Sequence, residues 1–193
     1  MIVPTDVENT LEQYLDQFIP AMLRQHYHLT LVKGGPDYPH LSEQSHFTHI
    51  VNGVFGLSRL IQFLIVRQIS VPGLDEGMFR KALAAYTIHE VHKDSSVERL
   101  GSSEFSIPLE RLREEYECLG LGAFAELDEH RLRAPNVHNR SPKHGDLLMS
   151  DDADAARLWL LVRIADTLAS AQTPAEAADS LRGYLADLGP AFA

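Results

Sequence analysis

The chain has 193 residues, 45% hydrophobic and 23% charged, so it can bury a sizeable core and is too apolar for an extensively disordered protein. With 17 basic and 27 acidic residues its net charge is −10, which excludes binding nucleic acid through overall charge alone. Its single cysteine, Cys118, excludes an internal disulfide and is compatible with a reducing cytoplasm. We expect one domain over residues 1–193, located in the cytoplasm.

Helical periodicity begins near the start of the chain. Apolar residues at helical spacing predict an amphipathic helix over about residues 7–24. A surface loop containing glycine and proline follows over residues 33–40. A second helix, residues 45–68, is nearly apolar all round and is expected to be buried centrally. Its most apolar run, residues 54–66, is too short for a membrane span, so we expect no membrane partner.

A third helix is predicted to begin near Leu74 and to carry His89 and Glu90 in its last turn. These two side chains would then point about 100° apart, so that both could reach one ion from the edge of a groove. A fourth helix is expected to start at Pro108 and to be interrupted at Gly120.

The last third of the chain is also predicted to be helical. A short helix through residues 124–127 leads into a loop, residues 130–144, which contains four basic residues and no acidic one. A helix over residues 154–171 and a last helix that begins with the capping box at residues 173–176 follow. Because no segment alternates apolar and polar residues as a strand would, the sequence predicts an all-α fold.

Residues suited to metal binding stand on three of these helices. His46, His49 and Asn52 recur at a spacing of three, which keeps them near one helix face. Asp166 lies inside an otherwise apolar helix, where an aspartate is rarely buried without a partner. Asn52 could hydrogen-bond to a ligand histidine and fix the orientation of its ring. His46 either contacts a ligand residue in the same way or faces solvent.

The order of these residues resembles that of the HD superfamily of metal-dependent phosphohydrolases. In that family an early histidine, a histidine-aspartate doublet and a late aspartate bind the metal. The resemblance implies that His49, His89, Glu90 and Asp166 are the ligands and that the fold is the HD-domain helical bundle. The sequence departs from the pattern at the doublet, where Glu90 replaces the aspartate.

The amino-acid sequences of four segments are more similar to one branch of this superfamily. Residues 49–55, 86–89, 104–110 and 164–169 look like the N-terminal HD nuclease domain of the large subunit of type I-D CRISPR effector complexes. This resemblance implies metal-dependent cleavage of single-stranded DNA during CRISPR interference. It also implies that the chain is the N-terminal fragment of a longer large subunit, with the other subunits of the complex and a helicase as partners.

The resemblance assigns further roles. It implies one or two divalent transition ions, and nitrogen ligands favour Mn, Fe, Co, Ni or Zn, with Mg also allowed. Glu90 would bridge two ions, and Lys93 would stabilise negative charge near the scissile phosphate. Relatives with two ions have additional histidine ligands in the interval that here contains His130, His138 and His144, of which we select the first two.

The basic loop is the predicted binding site for the DNA strand. Because the rest of the domain is acidic, Arg131, Arg133, Arg140 and Lys143 are expected to edge the metal groove.

Two other functions remain open from the sequence. One is a free-standing HD phosphohydrolase that acts on a nucleotide. The other is a degenerate HD domain that serves as an interaction module, and the unusual Glu90 keeps this alternative open.

Overall fold

The computed structural model describes residues 2–33, 43–91, 108–133 and 153–182, and these residues are mostly helical. The helices are α1 (Pro4–Arg24), α2 (His46–Val66), α3 (Glu76–Thr87), α4 (Leu109–Cys118), α5 (Glu129–Arg133) and α6 (Ala153–Ser170). A further helix, α7, covers residues 174–182, and short 3₁₀ turns lie at Tyr27–Leu29 and Leu121–Ala123. The predicted all-α class is confirmed.

Two short strands were missed by the sequence analysis. β1 (Leu31–Lys33) pairs antiparallel with β2 (Gln44–Ser45). So few residues cannot show the alternation that identifies a strand. The hairpin leads directly into α2, because Ser45 caps that helix by accepting a hydrogen bond from the Thr48 backbone amide at 3.1 Å.

The core lies where α1, α2, α3 and α6 meet, and α2 packs most extensively against α6. Each helix contributes fully buried large side chains, which include Tyr14, Phe18, Ile50, Leu57, Phe79, Leu83 and Leu158. The apolar stripes found in the sequence therefore meet in one core.

Helix α2 is buried over only part of its length. Ile50, Leu57 and Ile61 are in the core, whereas Phe63 and Val66 are 51% and 72% exposed, so the predicted central burial of the whole helix is wrong. By length and composition alone, with a mean hydropathy of 1.5, α2 could cross a membrane. Core helices of soluble proteins pass the same test.

Close approach between helices depends on two glycines of α2. A Cβ atom at Gly53 would lie 2.2 Å from the Tyr86 hydroxyl oxygen, and one at Gly56 would lie 2.9 Å from Leu168 Cβ. Both distances are too short for a carbon atom, so only glycine leaves room for these neighbours. The two contacts bring α3 and α6 against the face of α2 that starts with His49.

Helix α3 ends before the predicted metal ligands. Its last residue is Thr87, whose hydroxyl lies 2.7 Å from the Tyr14 hydroxyl and donates to the Leu83 carbonyl at 2.7 Å. The chain then tightens, with the His89 backbone amide donating to the carbonyl of Tyr86. His89 and the following Glu90 thus stand on a turn, and the prediction that they end the helix is wrong.

The predicted boundaries around α4 and α5 also need correction. Residues 124–127, predicted as a helix, are not helical, because the Tyr116 hydroxyl holds this segment by donating to the Ala125 carbonyl and accepting from the Leu127 amide. Helix α5 comes immediately afterwards, so the beginning of the predicted basic loop is helical.

Candidate metal centre

Four of the predicted ligands meet in one buried cluster. His49 comes from α2, His89 and Glu90 from the turn after α3, and Asp166 from α6. One candidate ligand atom of each residue lies within 4.8 Å of the others. Residues far apart in sequence are therefore brought together in an arrangement that could hold a metal ion.

The separations within the cluster fit ligands of one ion. His49 Nε2 lies 3.4 Å from His89 Nε2, 3.2 Å from Asp166 Oδ1 and 4.0 Å from Glu90 Oε1. His89 Nε2 lies 3.7 Å from Glu90 Oε1 and 3.8 Å from Asp166 Oδ1. Four ligands placed tetrahedrally about 2.1 Å from an ion are about 3.4 Å apart, close to these values.

All four residues are buried from solvent. His49, His89 and Glu90 are fully buried, and Asp166 is 8% exposed. Burying two carboxylates side by side is costly unless a cation or protons compensate their charge. The cluster therefore needs a bound cation or added protons to offset the charge of its carboxylates.

The hydrogen bond behind His49 defines which ring nitrogen is protonated. His49 Nδ1 lies 3.2 Å from the side-chain oxygen of Gln44, and the amide nitrogen of Gln44 donates to the Ala169 carbonyl at 3.1 Å. Since that carbonyl can only accept, the Gln44 oxygen must face the histidine and receive the Nδ1 proton. In a neutral ring, the lone pair of His49 Nε2 then points into the cluster.

His89 is oriented in the same way by the backbone. Its Nδ1 donates to the Tyr86 carbonyl at 2.5 Å, so the lone pair of its Nε2 also points into the cluster. With both rings neutral, two nitrogen lone pairs and two carboxylates face one another, an arrangement that could hold a metal ion.

Tyr86 supports both histidines and was not singled out by the sequence analysis. Its ring stacks on that of His89 with centroids 4.3 Å apart, and its hydroxyl donates to the His49 carbonyl at 3.0 Å. Burial, followed by the nearby carboxylates of Asp166 and Glu90, raises the pKa of Tyr86 well above its ordinary value. The hydroxyl therefore remains a neutral donor.

Asp166 is held by residues one turn away on α6. Ser170 Oγ donates to Asp166 Oδ1 at 3.2 Å, and Arg163 Nη1 lies 3.8 Å from Asp166 Oδ2. Oδ1 also lies 3.2 Å from His49 Nε2. The contacts with Ser170 and Arg163 therefore hold the carboxylate with this oxygen towards the histidines.

The two residues predicted to support the ligands lie in different environments. Asn52 is exposed on α2, and the contacts to the ligand rings come instead from Gln44 and the Tyr86 carbonyl. His46 is buried, 4% exposed, with its ring stacked 4.1 Å from that of Tyr27, so the prediction that it faces solvent is wrong. Helical spacing could not identify Gln44, because it lies on a strand before the helix.

The predicted basic loop, residues 130–144, is described only at its beginning. Arg131 pairs with Asp128 and lies 3.8 Å from a carboxylate oxygen of Asp154, so acidic neighbours already engage its charge. A phosphate bound by Arg131 would therefore compete with these two carboxylates. The remaining predicted residues, Lys93, His138, Arg140, Lys143 and His144, lie outside the described residues, as do the side chains of His130 and Arg133.

No protein-family model matches the chain, and comparisons with curated proteins and with solved structures give no significant match.

Proposed function

We propose that the protein is a metal-dependent phosphodiesterase whose ligands are His49, His89, Glu90 and Asp166. The observation that carries this proposal is the convergence of two histidine ring nitrogens and two carboxylates in one buried site. A mixed nitrogen and oxygen donor set suits Mn, Fe, Co, Ni or Zn, and Mg is tolerated less readily. Such an ion, when bound, acidifies a water molecule and neutralises charge on phosphoryl oxygens.

The side chains of the cluster supply charge balance and geometry for this chemistry. Two neutral histidines and two carboxylates carry a charge of about −2, which one divalent cation offsets. The side chain of Asp166 is 12% exposed and those of the other three are fully buried, so substrate would approach from the Asp166 side. A second ion would need further ligands, for which His130 and His138 stay our candidates.

For the substrate we propose single-stranded DNA, cleaved within a type I-D CRISPR effector complex. The support is the resemblance of segments 49–55, 86–89, 104–110 and 164–169 to the HD nuclease domain of its large subunit. A net charge of −10 fits a domain that receives a strand from other subunits and a helicase, since an acidic chain attracts DNA only weakly through its overall charge. Lys93 would stabilise charge on the scissile phosphate.

The test is a substrate panel with metal removal. Protein from which a chelator has removed the metal should cleave no substrate. Adding Mn²⁺, Co²⁺, Ni²⁺, Fe²⁺ or Zn²⁺ should restore cleavage. Single-stranded DNA should be cleaved faster than duplex DNA, because a single strand can bend its phosphate into a buried site. Mg²⁺ should restore less.

Other results would contradict parts of the proposal. Hydrolysis of nucleotides without cleavage of DNA would identify a free-standing nucleotide phosphohydrolase. Metal binding without hydrolysis of any substrate would identify a degenerate domain and overturn the proposed activity.

A further inference from the structure

We propose that Gln44 is a positioning residue of the metal centre, holding His49 in the one tautomer that can bind an ion. The proposal rests on the proposed metal centre and extends it beyond the four ligands. Gln44 uses both ends of its amide, with the oxygen 3.2 Å from His49 Nδ1 and the nitrogen donating to the Ala169 carbonyl at 3.1 Å.

The contact with α6 fixes the direction of the amide. Ala169 is in the last turn of α6, which ends at Ser170, so its carbonyl has no partner within the helix. Because Gln44 satisfies that carbonyl, turning its amide around would place an amino group against His49 Nδ1 and leave the Ala169 carbonyl unsatisfied. One orientation is therefore strongly favoured, and it makes His49 Nδ1 the donor.

The pairing of β1 with β2 fixes the position of Gln44. Lys33 of β1 is the partner of Gln44 in the strand pair, and the His46 amide donates to the Thr30 carbonyl at 2.7 Å just beyond it. Gln44 thus connects His49 on α2 to Ala169 on α6. Asp166 lies on the same helix, three residues before Ala169. The hairpin is small, and its contribution to the metal centre is to present this one side chain.

Removing the Gln44 oxygen would release the tautomer. His49 Nε2 lies 3.2 Å from Asp166 Oδ1, which can accept a proton from it. A His49 ring without an acceptor at Nδ1 can therefore place its proton on Nε2, and the electron pair needed by the ion is lost. Losing such a partner of a ligand typically weakens metal binding by about 10–100-fold.

Two substitutions separate this role from the cap on α6. Gln44→Glu keeps an oxygen for His49 Nδ1 but loses the donor to Ala169, whereas Gln44→Met loses both contacts at similar size. The probe is Co²⁺, titrated into metal-free protein and followed by its visible absorption. Gln44→Met should bind Co²⁺ about 10–100-fold more weakly than wild type, and Gln44→Glu should bind it as tightly or more tightly.

Stability provides the matched control. Both variants leave the Ala169 carbonyl unpaired, so both should lower the melting temperature of the metal-free protein by similar amounts. If Co²⁺ binding weakened equally in the two variants, Gln44 would act only by capping α6, and the inference would be overturned. Wild-type affinity in Gln44→Met would overturn it as well.

A readout without metal keeps this inference separate from the proposed activity. In ¹⁵N NMR spectra of metal-free protein, at a pH where the histidine rings are neutral, His49 should carry its proton on Nδ1 in wild type and Gln44→Glu. It should exchange between tautomers in Gln44→Met. A wild-type ring protonated on Nε2 would overturn the role of Gln44. Failure to cleave DNA would instead count against the proposed function and leave the tautomer result standing.

Discussion

Replacing His89 by alanine is expected to abolish metal binding and phosphodiester hydrolysis together. His89 Nε2 is 3.4 Å from His49 Nε2 and within 3.8 Å of both carboxylates, so its loss opens one side of the cluster. The drop in metal affinity should exceed the roughly 100-fold that losing a partner of a ligand costs. Elemental analysis of the purified protein and the rate of hydrolysis measure the two effects.

An exposed histidine provides the matched control. His28 stands at the surface outside the cluster, so His28→Ala should keep the metal content and rate of wild type. Because His89→Ala also removes a buried side chain, His89→Gln should be measured beside it, since glutamine fills most of the space without the ring nitrogen. Wild-type metal content in both His89 variants would contradict the assignment of His89 as a ligand.

Substitutions of Glu90 are expected to show that its length suits the turn on which it stands. The chain leaves α3 at Thr87, and from the turn Glu90 Oε1 lies 3.7 Å from His89 Nε2. Aspartate would withdraw the carboxylate by about 1 Å, and a displacement of that size at a reacting centre can cost roughly 10²-fold in rate. Glu90→Asp should therefore slow hydrolysis about 10²-fold, and Glu90→Ala should abolish it.

Charge and length at this position can be separated. Glu90→Gln keeps the length and loses the negative charge, so it should bind the ion more weakly than wild type while folding normally. Rates and metal content of the three variants, measured over a range of metal concentrations, give the comparison. If Glu90→Asp were as fast as wild type, either side-chain length would place the carboxylate correctly, and the length at position 90 would not limit the rate. If Glu90→Ala were as fast, Glu90 would not be a ligand.

The four clustered residues were predicted as one set only through the resemblance of their order to the HD pattern. Asp166 also stood out by itself, as an acid within an otherwise apolar helix. The all-α class followed from long helical periodicity, which is the strongest signal that a single sequence carries. The glutamate at position 90 looked like a defect in sequence, whereas in the fold the end of α3 brings its carboxylate into the cluster.

The groups that orient the ligands were much harder to predict. Gln44 reaches His49 from a strand too short to leave a pattern, and the partner of His89 is a backbone carbonyl, which has no sequence signature. The end of α3 depends on tertiary contacts such as that between Tyr14 and Thr87, which local propensity does not contain. Similarly, the pairing of Arg131 with Asp154 joins residues distant in sequence.

The most direct test of the metal centre is anomalous X-ray diffraction from crystals of the protein loaded with Mn²⁺ or Zn²⁺, recorded at the absorption edge of the metal. We predict a peak about 2.0–2.2 Å from His49 Nε2, His89 Nε2 and one oxygen each of Glu90 and Asp166. A second peak nearby would indicate a two-ion site. A metal-loaded protein whose anomalous peaks all lie away from these four side chains would contradict the account.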